Sequence, residues 1–144
     1  MVDIGSRQTL VQSDPEHVSI SIGATKIIKV QNLTCVWGNT VNEEPTIGTD
    51  IPDQWTGKFH GVVSLDALYM TDLDLTALCD PGADGQVPVS TITGVLTDTE
   101  VVPKSDTWTI YARLNNPTLI VREQGFIRAR MSGLLTARPI RTQA

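Results

Sequence analysis

Few residues in this chain of 144 could do chemistry. Its two histidines, His17 and His60, belong to no metal-ligand spacing pattern, and His60 lies on the outward phase of an alternating strand. A serine nucleophile would need one of these two as its base, and the sequence contains no GxSxG, P-loop or GxGxxG motif. The sequence therefore predicts no catalytic residue, no cofactor-binding residue and no metal ligand, and it favours a non-enzymatic protein.

Two further patterns resemble sites without completing one. Asp72 and Asp74 begin an EF-hand-like run, but the sixth position, which requires glycine, is Ala77, and the segment is typical of a helix. Cys35 and Cys79 lie far apart in sequence and do not form a disulfide framework. We expect two buried thiols, because free cysteine is among the most buried residue types.

Composition and charge narrow the class of protein. The length fits one domain, spanning residues 1–144, and no apolar run approaches the ~20 residues that cross a bilayer. Residues 1–105 carry 5 basic and 14 acidic side chains, whereas residues 106–144 carry 6 arginines and 2 acids. This polarity suits contact between copies of the chain, and the overall negative charge disfavours nucleic-acid recognition.

Alternating apolar residues predict a mainly β protein, an antiparallel sandwich or barrel with one inserted helix. We expect Ser64 to cap that helix and Asp66 to lie in its first turn. A phase shift at Gln31-Asn32 predicts a β-bulge, and Asn115-Asn116-Pro117 predicts a turn. The predicted strands are Val18–Ile22, 26–37, 54–64, 87–100, 106–114, 118–123 and 125–135, around a helix from Leu65 to Cys79.

The remaining segments are predicted to be irregular. They are a flexible N-terminal arm (about 1–15), a long loop between subunits (38–53) and a short C-terminal tail (137–144). The strand that follows the loop alternates Trp55, Phe59 and Val63 with glycines at 57 and 61, a pattern that suits a curved sheet packed against a helix.

This order of elements resembles the tail tube proteins of tailed phages and archaeal viruses, a layout shared with type VI secretion and contractile injection systems. The resemblance rests on the hairpin from Ile27 to Trp37, the loop to Asp53, the Trp55-Thr56-Gly57 signature and the helix from Leu65 to Cys79 that follows. It covers about residues 17–135. The later strands, TWTIYARL and GFIRARMSGLL, also fit.

The resemblance implies a structural virion protein whose copies form stacked rings, usually hexamers, around a channel that conducts DNA. Its partners would be further copies and other tail proteins such as a tape measure, terminator or sheath, with no membrane and no specific DNA binding. Assembly would take place in the host cytoplasm. Arg128 and Arg130 should then face another subunit, because in the channel they would hold DNA. The alternatives are a non-tubular virion component, either a decoration or a head–tail connector protein, and a small-ligand-binding barrel.

Overall fold

A computed structural model describes residues 10–45, 47–48 and 50–143. The described residues form one antiparallel sheet, so the prediction of a mainly β fold is confirmed. Residues 1–9, which hold most of the predicted N-terminal arm, lie outside the described part. The strands are β1 (Val18–Ile22), β2 (Thr25–Ile27), β3 (Val30–Glu44), β4 (Asp53–Leu68), β5 (Ser90–Thr97), β6 (Ser105–Ile120), β7 (Arg128–Leu135) and β8 (Ile140–Gln143).

The order of the strands makes the sheet curl. Neighbours along it are β2-β1-β5-β6-β7-β4-β3, and β8 pairs with β6 beside the end of β7. The two end strands, β2 and β3, are joined by only Ile28 and Lys29. Since two residues cannot cross the width of seven strands, the sheet must bend until its ends lie near each other.

The core lies inside this curl and is built from alternate residues of the central strands. Its largest fully buried side chains are Leu65, Ile92, Leu114, Met131 and Val63. The predicted phase of β6 is confirmed by the buried Ile110, Ala112 and Leu114. The predicted bulge in β3 is confirmed by a register shift between Val30 and Asn32. In β5 the phase is the reverse of the prediction, because residues 90, 92 and 94 are buried instead of 91, 93 and 95.

The helix predicted from Leu65 to Cys79 is wrong. Leu65–Leu68 continues β4, and only Leu75–Cys79 is helical, as one turn of 3₁₀ helix that contacts β6 and β7. Leu65 and Ala67 maintain the two-residue period of β4, and pairing with β3 and β7 supplies backbone hydrogen bonds on both sides. Asp66 therefore faces Arg130 across the sheet instead of lying at a helix N-terminus.

The loop predicted at 38–53 is also wrong, since most of it is strand. β3 continues to Glu44, which lies opposite Asp53 of β4, so that only residues 45–52 connect the two strands. A second register shift, between Asn39 and Val41, bends the hairpin. Its turn residues, two prolines and Gly48 at a φ of 84°, fall in that short connection.

Two further elements differ from the sequence prediction. The turn expected at Asn115-Asn116-Pro117 is a register shift within a continuous β6. β5 pairs with β6 only as far as Ala112, so Pro117 lies where β6 has lost one neighbour and needs fewer backbone donors. The C-terminal tail is not patternless, because β8 pairs with β6, and Arg141 binds Asp106 at 2.7 Å.

Candidate assembly surfaces

The β3–β4 hairpin projects beyond the rest of the sheet. β7 pairs with β4 only from Val62 to Leu68, so the β4 edge from Asp53 to Gly61 has no strand partner within the described residues. At about 3.3 Å per residue that free edge is roughly 26 Å long. We call this projecting hairpin, residues 38–61, the arm. It is distinct from the N-terminal arm predicted at about residues 1–15. Its unpaired N–H and C=O groups are suited to pairing with a strand of another chain.

The tip of the arm is both acidic and apolar. Residues 39–57 contain Glu43, Glu44, Asp50 and Asp53 and no lysine or arginine. Ile47 is fully exposed at 103% of its reference area, and Trp55 is half-exposed at 50%. An exposed apolar group rimmed by charge is the usual composition of a protein–protein contact.

Close contacts hold the base of the arm. Gly57 lies against Thr40 so tightly that a Cβ at this position would meet the threonine hydroxyl. Arg138, from the predicted C-terminal tail, places its guanidinium 5.6 Å from the centre of the Phe59 ring and donates a hydrogen bond to Asn39 Oδ1 at 3.3 Å. These contacts therefore hold the base of the arm as a hairpin against its own subunit.

The side chains that the sequence predicted to face inward on β4 are buried near the core and become exposed towards the tip of the arm. Val63 is buried, Phe59 is half-buried beneath Arg138, and Trp55 has left the core. His60 lies on the outward face and is exposed, as predicted. The side chains from Trp55 to Val63 keep one phase, but their burial falls towards the tip, where β7 no longer pairs with β4.

The outward face of β3, β4 and β7 carries an apolar row and, further along β7, the alternating arginines Arg128 and Arg130. Val36, Val62 and Leu134 form an exposed apolar row across the three strands. Arg130 Nε lies 2.7 Å from Asp66 Oδ1, and this hydrogen bond raises the pKa of Arg130. Arg130, which the resemblance placed against another subunit, is therefore paired within its own.

The residues that could do chemistry remain apart. His17 Nδ1 lies 2.7 Å from Asp14 Oδ1, and this hydrogen bond lowers the pKa of Asp14. Asp74 caps the 3₁₀ helix by accepting a hydrogen bond from the Thr76 amide at 3.1 Å. Within the described residues no three His, Cys, Asp or Glu side chains come close enough to hold a metal ion. The same part of the chain has no helix long and apolar enough to cross a membrane.

Both cysteines are free thiols, but only Cys79 is buried, so the expectation of two buried thiols is confirmed for Cys79 alone. Burial raises the pKa of Cys79, with a smaller effect from the charge of Asp80. Cys35 is half-buried, its pKa is also raised by burial, and it lines an open groove where the two ends of the sheet approach each other. The groove has a volume of about 690 Å³. One wall carries Trp37 and Trp108, whose ring centres are 5.7 Å apart.

No protein-family model and no curated protein matches the chain. Solved structures do. A chain of the sheath–tube complex of PVC, an extracellular contractile injection system in its extended state, aligns with a TM-score of 0.69 and 16% identity over 91% of each chain. A chain of the SPP1 tail tube aligns with a TM-score of 0.66 and 13% identity, over 91% of this chain and 79% of that one.

This protein has the tail-tube fold. A third similar structure, from the tube-terminating cap of the anti-feeding prophage, aligns over 99% of this chain and 100% of the other, with a TM-score of 0.63 and 14% identity. The likeness therefore extends over nearly the whole chain, and the fold expected from the sequence is confirmed. Sequence reasoning ended the second strand at Trp37 and therefore missed the β3 half of the arm.

Proposed function

We propose that this protein is the structural subunit of a tail tube, with no enzymatic activity. Copies join side by side into closed rings, and the rings stack around a channel. One observation carries the proposal most directly: the arm extends a folded β-hairpin roughly 26 Å beyond its own sheet, with an unpaired edge and an exposed apolar tip. A protein that acted alone would gain nothing from such an edge, which invites aggregation.

Free edges at different places on one subunit support ring closure. The first is the β4 edge of the arm. The second is the β6 edge beyond Ala112, where β5 no longer pairs. Contacts between unlike surfaces of identical copies are heterologous, and they close into a ring when the rotation permits. We propose six copies to a ring, the number that the sequence resemblance implies.

Charge supports a channel that passes DNA without holding it. The chain has a net charge of −5, which repels phosphate. The exposed row Val36, Val62 and Leu134 is apolar, and Arg130 is paired with Asp66. Arg128, on the same face, would then lie against another copy and not in the channel. We propose that DNA moves through the assembled tube without specific contacts.

The setting follows from this role. The subunit would lie in the tail of a virion after assembly in the host cytoplasm. Besides further copies, the proposed partners are the other tail proteins, such as a tape measure, a terminator or a sheath. The free arm of the last ring would need a terminating partner, since it would otherwise leave an edge open.

Sedimentation velocity followed by negative-stain electron microscopy tests the proposal. Purified protein, concentrated at moderate salt, should form species several-fold larger than 15.6 kDa that appear as rings or tubes. A matched variant in which a two-residue Asn-Gly turn replaces residues 42–55, which lie between the paired Val41 and Thr56, should remain folded and form at most single rings. A wild-type protein that stays monomeric at every concentration would contradict the proposal.

The open groove supports a second candidate, a small-ligand-binding protein. Its volume of about 690 Å³ lies within the range of ligand pockets, roughly 300–1,000 Å³. An apolar fluorescent probe that bound the monomer and changed the emission of Trp37 and Trp108 would favour this candidate. A ligand-binding function would leave the arm without a role, and we therefore prefer the tube subunit as the proposed function.

A further inference from the structure

The arm separates from the sheet where the chain passes from β7 to β8. β7 ends at Leu135, and β8 then pairs with β6 from Asp106 to Thr109. Since β5 pairs with one side of β6 there, β8 lies on the side that β7 has left. Within the described strands β4 pairs with β7 and not with β8, so the arm and β8 diverge from this point. We call residues 136–143, which begin at the point of divergence, the strap.

The backbone of the strap is fixed to the sheet on both sides of Arg138. The amide of Thr136 donates a hydrogen bond to the carbonyl of Tyr111 on β6 at 2.9 Å. Pro139 is buried, and the next four residues pair with β6 as β8. The exposed side chain of Arg138 therefore extends from a part of the chain that belongs to the sheet and not to the arm.

Arg138 contacts both strands of the arm at once. Its guanidinium lies 5.6 Å from the centre of the Phe59 ring on β4 and donates a hydrogen bond at 3.3 Å to Asn39 Oδ1 on β3. Asn39 and Phe59 lie directly opposite each other in the hairpin. A planar guanidinium can cover an aromatic ring and donate from its edge at the same time, which a lysine ammonium cannot do with the same geometry. One side chain of the strap thus holds a cross-strand pair of the arm.

The arm needs support of this kind, because a two-stranded hairpin is only marginally stable without packing. The arm lies close against the sheet at Gly61, where a Cβ would meet the side chains of Leu135 and Trp37. Further out, the register shift directly after Asn39 interrupts the β3–β4 ladder and bends it. Arg138 contacts the arm between these two positions, where a change of angle would swing the whole outer part.

We propose that Arg138 is a positioning residue, which holds the arm at one angle to the sheet before the arm meets another copy. A segment that is already held in one orientation loses less conformational freedom when it binds, so this contact favours assembly. The benefit to assembly rests on the proposed tube function, whereas the restraint on the arm is a property of a single subunit.

Pulsed electron paramagnetic resonance, at concentrations below assembly, measures the restraint on the arm. Spin labels at Ile47→Cys on the tip and Leu134→Cys on the outward face of β7, both exposed positions, report the distance between arm and sheet. The native thiols are removed by Cys35→Ser and Cys79→Ala. In this background the distribution of distances should be narrow, and adding Arg138→Ala should broaden it or move its maximum.

Arg141→Ala is the matched control. It removes another arginine of the strap, whose partner Asp106 lies on β6 and not on the arm. The distance distribution should therefore stay as narrow as in the labelled background. A distribution that Arg138→Ala leaves unchanged, or that Arg141→Ala broadens equally, would overturn the proposal.

A substitution on the arm separates the contact from a general effect of the missing charge. Phe59→Leu removes the ring that Arg138 covers and keeps an apolar side chain in its place. Alone it should broaden the distribution. Added to Arg138→Ala it should cause no further broadening, because the guanidinium that held the ring is then already absent. Broadening that adds up in the double variant would contradict a shared contact.

Assembly of the same variants tests the consequence for the tube. Arg138→Ala should raise the concentration at which rings and tubes appear by roughly two- to five-fold, the factor expected for loss of one exposed cation–π contact, whereas Arg141→Ala should not. A broadened distribution with unchanged assembly would overturn the role of Arg138 in positioning the arm for assembly. Absence of rings and tubes in the wild type would instead overturn the proposed function and leave the restraint on the arm intact.

Discussion

Truncation of Leu65 tests the phase of β4, in which the alternate side chains of Val63, Leu65 and Ala67 lie in the core. Leu65 is fully buried and paired with Leu33 and Met131 in the neighbouring strands. Leu65→Ala removes about three buried carbons, roughly 2.4 kcal/mol of transfer free energy, and the residual cavity brings the expected loss to about 3 kcal/mol. With a urea slope of about 2 kcal/mol/M, the unfolding midpoint should fall by about 1.5 M.

Val62→Ala is the matched control. Val62 lies three residues earlier on the same strand, on the outward face, and is 48% exposed. Its truncation should cost less than about 1 kcal/mol and move the midpoint by less than about 0.5 M. The unfolding curves should be recorded by circular dichroism on monomeric protein, since assembly adds stability of its own. A larger loss for Val62→Ala than for Leu65→Ala would show that the phase of β4 is inverted.

Three further outcomes are expected. The pKa of Asp14 is lowered by its hydrogen bond with His17. The stability that this pair contributes is therefore complete above the ordinary pKa of 3.8 and is lost as the pH falls through the lower pKa of the folded state. Asp14→Asn should flatten the acid limb of a pH–stability curve, and an unchanged limb would refute the link. Gly133→Ala should destabilise the protein by more than about 1 kcal/mol because a Cβ there would collide with a β6 carbonyl, whereas Gly94→Ala, with open space at its Cβ, should not; equal thermal shifts for the two would contradict this close approach. Because burial raises the pKa of Cys79, iodoacetamide should modify this thiol slowly near neutral pH until denaturant is added, and rapid labelling of the native protein would show that it is accessible.

The strands could be predicted from the sequence wherever the side chains alternate between the buried and the exposed side of the sheet. Ile110, Ala112 and Leu114 of β6 are buried while their neighbours are not, so the two-residue period is visible in the side chains. The β3 bulge was visible for the same reason, since the alternation slips by one residue there.

The wrong secondary-structure predictions have one physical cause. In these segments the side-chain pattern does not show which strand the backbone pairs with. In Leu65–Leu68 the apolar spacing fits a helix as well as a strand, and only the long-range pairing with β7 decides between them. The β3 half of the arm, from Gly38 to Glu44, has no buried face to impose a pattern, and its strand structure comes from hydrogen bonds to β4.

The sequence predicted that copies of the chain contact each other, but it did not locate the surfaces that do so. Uneven charge along the chain indicated contact between copies, but not that the acidic cluster Glu43 to Asp53 lies at the tip of an extended hairpin. Nor did it place Arg122 and Arg128 at the opposite end. Both facts depend on strand register over the full length of β4, which a single sequence does not specify.

Cryo-electron microscopy of the assembled wild-type protein tests the central claim most directly. The account predicts rings of identical subunits around an open channel, stacked so that each arm contacts a subunit of a neighbouring ring. A reconstruction in which the arms point away from every neighbouring copy, or particles that remain single subunits at high concentration, would contradict it.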